Sequence, residues 1–109
     1  MLIPGAEALS LRALITPTEQ GIASRVLARS AGGNVTLFAF DAGQGLTEHT
    51  TAFDALALVL EGALTLTIGG TVVNAGEGTV TRLPANVPHA VDATVAARML
   101  LVMMKDTKA

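Results

Sequence analysis

Two stretches decide how this chain is read: GQGLTEHTTAFDALALVLEG, Gly43 to Gly62, and GTVTRLPANVPH, Gly78 to His89. Between them they hold both histidines of the protein. In the first, a polar segment carrying His49 gives way to ALALVL, residues 55–60. That continuous apolar run has strand length and predicts a strand buried on both faces. In the second, TVTRL leads into a loop bracketed by Pro84 and Pro88, and the loop delivers His89. The glycines at 43, 62, 76 and 78 are explained by turn geometry alone, with no chemistry required of them.

Strand signals continue outward from both stretches. Residues 63–68, ALTLTI, alternate leucine or isoleucine with threonine, the period of a half-buried strand. Gly69-Gly70 follows, a hairpin turn in which both residues can take positive φ, and Thr71 to Val73 completes the pair. Thr79–Leu83, His89–Val95 and Ala97–Met104 are the next strand candidates. Upstream, VTLFAF from Val35 is β-branched and aromatic and stops at Asp41-Ala42-Gly43. Ile22–Ala28 predicts a short strand before a Gly32-Gly33-Asn34 turn. Ala8–Ile15 alternates Leu9, Leu11, Ala13 and Ile15 with Ser10, Arg12 and Leu14, and is read as a strand; a helix competes, because leucine and alanine form helices readily. Thr16-Pro17 ends either. Many short strands at regular spacing, with no convincing helix, predict an all-β sandwich or closed barrel. The span 1–109 reads as a single domain, with a polar, frayed tail from about 105.

Composition narrows the partners. Half of the residues are hydrophobic and only 15% are charged, which points to a surface partly covered by a second subunit, a homodimer. The formal net charge of −2 and the lack of a basic cluster argue against nucleic acid and anionic membranes. Without cysteine, neither a disulfide framework nor a thiolate metal site can form, and nucleophilic thiol chemistry is excluded. The N-terminus lacks a basic start followed by an apolar core, so no secretory signal is read there. The apolar run Met99–Met104 is far shorter than the ~20 residues of a membrane helix. The expectation is a cytoplasmic protein.

The spacing of the two stretches resembles the paired motifs of the cupin superfamily, in particular its small single-domain members. The first cupin motif runs Gly, five residues, His-X-His, three or four residues, Glu, six residues, Gly; Gly43, His49, Thr51, Ala55 and Gly62 stand at those places. The second runs Gly, five residues, Pro-X-Gly, two residues, His, three residues, Asn; here the places are filled by Gly78, Pro84, Asn86, His89 and Ala93. The segment between the motifs, Ala63 to Glu77, matches the short spacer of small bacterial cupins. The resemblance implies a double-stranded β-helix, or jelly-roll barrel, with both histidines facing one cavity at its mouth. It also implies a divalent metal (Fe, Mn, Ni, Zn or Cu) on three histidines and one glutamate, and agrees with a homodimer.

His49 and His89 keep two of those four ligand places. Thr51 replaces the other histidine and Ala55 the glutamate; threonine is a weak neutral ligand and alanine is none. Asp54 could substitute if residues 52–54 bulge, but a regular strand points neighbouring side chains to opposite faces. The candidate pocket is therefore His49, Thr51, Ala55 and His89, with His49 and His89 as weak metal ligands or metal-free hydrogen-bonding groups. Arg82 and Arg98 would clamp a carboxylate if inward and are surface charges if outward. RMLLVMM, from Arg98, and the phenylalanines fit core packing or an adaptable cavity. Two functions stay open: a binding protein for a small molecule, or a metal-dependent enzyme acting on a small sugar or aromatic acid.

Overall fold

The computed structural model describes residues 2–105; the expected frayed tail beyond Lys105 lies outside them. Within them all regular structure is β, in nine strands: β1 (Ile22–Ser30), β2 (Gly33–Phe40), β3 (Gly45–His49), β4 (Asp54–Glu61), β5 (Leu64–Ile68), β6 (Thr71–Ala75), β7 (Val80–Leu83), β8 (His89–Asp92) and β9 (Ala97–Met104). They form two antiparallel sheets, ordered β1-β2-β9-β4-β7 and β3-β8-β5-β6. The result is the jelly-roll barrel expected from the sequence. No helix among the described residues is long and apolar enough to cross a membrane.

Alternation decides which side chains fill the barrel. Ala55, Ala57 and Val59 of β4, Leu64 and Leu66 of β5, Val91 of β8 and Ala97 and Met99 of β9 are buried together with Phe40 and Leu83. On β5 the threonines face the other way, as the ALTLTI pattern predicts. Gly69 and Gly70 both take positive φ, 55° and 85°, and close the β5–β6 hairpin in the primed geometry. Tracing strand directions places five chain segments at one end of the barrel: the β1–β2 turn, residues 50–53, the Gly69-Gly70 turn, residues 84–88 and the end of β9.

Several expectations need correction. Ala8–Ile15 is not a strand: its amides bond locally, Ala13 N–H to the Ser10 carbonyl at 3.0 Å and Leu14 N–H to that of Leu11 at 3.4 Å. No neighbouring strand offers it a ladder, so alternation has nothing to act on. Instead Leu14 and Ile15, adjacent in sequence, both lie against Leu27, Leu37 and Ala39 on the outer face of the five-stranded sheet. Two arginines hold the arm there: Arg25 donates to the Leu14 carbonyl at 3.2 Å and Arg98 to the Ile15 carbonyl at 3.3 Å. Second, β4 is not equally buried on both faces; its inner residues are fully buried, while Leu56, Leu58 and Leu60 are only half-buried. Third, the strand expected over His89–Val95 ends at Asp92, and Gly33 already belongs to β2 rather than to a turn.

Candidate functional site

His49 closes β3 and His89 opens β8, and the two residues face each other across the pairing of these strands. The register makes this unusual. Leu46 pairs with Val91 and His49 with His89, so two residues on β3 span what one residue spans on β8. In a regular strand Glu48, not His49, would lie opposite His89. The bulge carries Glu48 out of the ladder and turns His49 to the side shared by His89, the re-aiming role typical of such irregularities. The two rings meet nearly edge to face, with centroids 4.4 Å apart and 67° between planes.

Each ring is held by a carbonyl two residues upstream. Nδ1 of His49 lies 3.0 Å from the Thr47 oxygen, and Nδ1 of His89 lies 3.4 Å from the Val87 oxygen. A carbonyl only accepts, so each neutral ring carries its proton on Nδ1 and leaves the Nε2 lone pair free. The surroundings differ. His89 is 7% exposed, whereas His49 is open to solvent. Burial holds the His89 pKa below the ordinary imidazole value, and the neighbouring His49 adds to the shift; the Val87 carbonyl opposes both.

The remaining candidates do not complete a metal shell. Thr51 donates its hydroxyl to the Phe53 carbonyl at 3.1 Å and accepts from the Phe53 N–H at 3.4 Å, so the oxygen serves its own loop. Ala55 is buried in the interior at the same end of the barrel and offers only a methyl group. Asp54 belongs to regular strand from its first residue and is aimed away from the interior face of Ala55. Its carboxylate accepts from Arg82 at 3.0 Å and from the Ala85 N–H at 2.7 Å. The Ala85 amide first, and Arg82 next, hold that carboxyl below its usual range. Asp54 thus pins the proline-bracketed loop, with its carboxylate engaged there and not beside the histidines. Among the described residues no three His, Cys, Asp or Glu side chains converge. The donor set therefore does not fit a four-ligand centre of three histidines and a glutamate.

The direction of the two arginines is settled as well. Arg82 is an exposed surface charge on Asp54. Arg98 lies on the outer face, bonded to Glu61 at 2.7 Å, and Glu61 also holds Arg12 at 2.9 Å. Sequence reasoning missed β3 as a strand, the bulge within it, and the Thr47 and Val87 carbonyls. One signal was available: Leu46 and His49 are three apart, a spacing that cannot put both on one face without an inserted residue.

Comparison with known proteins agrees with this geometry. The family described as Cupin domain matches residues 36–104. A conserved protein of unknown function from Streptococcus pyogenes superposes with a TM-score of 0.90 at 31% identity, over 97% of this chain and 93% of that one. A cupin superfamily protein from Desulfitobacterium hafniense does so with 0.89 at 27% identity, over 97% of each chain. A cupin 2 conserved barrel domain protein from Leptotrichia buccalis gives 0.85 at 32% identity, over 89% of this chain and 47% of that one. Comparison with curated proteins produced no match.

Proposed function

The chain belongs to the cupin family, and on that premise we propose that it is a small-molecule-binding cupin whose recognition pair is His49 and His89. The observation that carries this reading is the ring pair itself: two imidazoles with centroids 4.4 Å apart, each tied at Nδ1, with no carboxylate joining them among the described residues. Two free Nε2 atoms accept hydrogen bonds from a ligand hydroxyl or acid proton. His89 is nearly buried and His49 is exposed, which suits a ligand with an apolar body and one polar end. A divalent cation would find two neutral nitrogens and solvent, so its charge stays uncompensated and its geometry loose.

A second reading, a metal-dependent cupin enzyme, is favoured by one feature. An Nδ1–H bonded to a backbone carbonyl is the arrangement that orients a ligating imidazole. The two readings separate on metal affinity. Calorimetric titration of Zn2+ or Ni2+ into the protein, purified without a histidine tag, should give weak binding that fades in acid as protons compete with the ion for the ring nitrogens. Replacing Thr51→His together with Ala55→Glu should raise affinity at least about 100-fold by restoring two ligands. A folded double variant that binds metal no better than the parent would place Thr51 and Ala55 outside the site. One tight, stoichiometric ion on the parent would favour the enzyme.

A further inference from the structure

A second cluster at the same end of the barrel has a different chemistry. Six cationic side chains fall within residues 2–105, and four of them have partners. Arg12 and Arg98 share Glu61, Arg82 holds Asp54, and Arg25 donates to the Leu14 carbonyl. The other two, Arg29 and Lys105, have no carboxylate partner among the described residues, and they line one cavity of about 250 Å³. Among the described residues no acidic side chain lines it; the rest of its wall includes Asn34, Phe53 and Met103. A second cavity, of about 320 Å³, also touches Arg29, Asn34 and Met103, but its wall includes the outward-facing row of Ala28, Val35 and Val102.

Strand register explains how these residues come together. Arg29 pairs with Asn34, Asn34 with Met103, and Met103 with Ala55. They form a single cross-strand row, and Met103 and Ala55 belong to the interior cluster, so the row lies on the inward face at the barrel mouth. The slip in β1 between Val26 and Ala28 sets this up: Leu27 packs outward, and Arg29 falls on the inward side. Asn34 accepts at Oδ1 from the Thr36 hydroxyl at 3.1 Å, which leaves its NH2 group as the free donor. The floor is closely built. A Cβ on Gly33 would overlap the Met103 carbonyl, and the Lys105 N–H donates to the Gly32 carbonyl at 2.7 Å. Lys105 Nζ stands 6.0 Å from the centroid of the Phe53 ring.

We propose that this cleft binds a small carboxylic acid with an apolar body, its carboxylate taken by Arg29 and Lys105 and its apolar part laid against Phe53 and Met103. Two cations without a counter-carboxylate, plus an amide donor, call for an anion. A phenyl ring and a thioether call for an apolar remainder. At about 250 Å³ the cavity falls just below the ~300–1,000 Å³ usual for ligand sites, so the acid is the size of benzoate rather than a nucleotide. Neither histidine lines the cleft, and the inference stands without them.

Benzoate titrated into the whole chain and followed by amide and arginine side-chain NMR tests this. The expected result is saturable shifts gathered at residues 29–34, 53 and 103–105. Arg29→Gln and Lys105→Gln should each weaken binding by about threefold to tenfold. Both side chains sit at the surface, so neither change should disturb folding. Benzyl alcohol, with the ring but no charge, should bind much more weakly, and so should acetate and inorganic phosphate, charged but without the ring. Shifts centred on residues 45–49 and 87–91, unaltered affinity in both variants, or phosphate binding as tightly as benzoate would each overturn the proposal.

Discussion

His89 is the one buried polar or charged side chain among the described residues, with an imidazole beside it and a backbone carbonyl as its hydrogen-bond partner. Its protonation in the folded state is therefore resisted by burial and by His49. The unfolded chain takes that proton near the ordinary value of about 6.5, and the folded chain only at lower pH. Above that range both states are neutral here and stability does not respond. Below it the unfolded state binds the proton first, so stability falls as pH drops until folded His89 titrates too. Urea unfolding at pH 7.5 and at pH 5.5 should show a lower midpoint in acid, and His89→Gln should shrink that difference. An equal difference in parent and variant would contradict the assignment. Asp54 acts in a separate window: its lowered carboxyl pKa favours the fold above about pH 4 and loses that effect only in stronger acid. Motif spacing made both histidines legible at this scale. It could not reveal their Nδ1 partners, which are backbone atoms and carry no residue signature.

At the scale of elements, legibility follows local pattern strength. β9 matches its expected range, Ala97–Met104, and the Gly69-Gly70 hairpin matches in position and turn type, because apolar run length and positive φ are local properties. β3 was invisible, since GLTEH has no alternation of its own and is a strand only because β8 supplies a ladder. Ala8–Ile15 failed in the opposite way. Its alternation is real, but no strand lies beside it, and the arm is held by arginine bonds to the Leu14 and Ile15 carbonyls. The slips in β1 and β3 share this character. Each turns the side chain of a proposed site, Arg29 or His49, toward the barrel mouth, and neither is encoded by a residue type within the strand.

Across the whole molecule, the apolar surplus that suggested a second copy has a partial use within one chain. Ile3, Leu14 and Ile15 of the N-terminal arm cover the outer face around Leu27 and Leu37. Large hydrophobics that stay exposed include Val72 at 62% and Val80 at 59%, and we keep a homodimer as a proposal. Light scattering at micromolar concentration should give two chains; a single chain throughout would end it. The barrel mouth holds two adjacent imidazoles with free Nε2 atoms and, among the described residues, no third ligand. A long-range 1H–15N spectrum of the histidine rings, recorded at pH 7.5 while Zn2+ is added, tests it most directly. Both rings should carry their proton on Nδ1, and their Nε2 signals should move together, saturating only at a large excess of metal. Rings protonated on Nε2, or two Nε2 signals that respond independently, would contradict it.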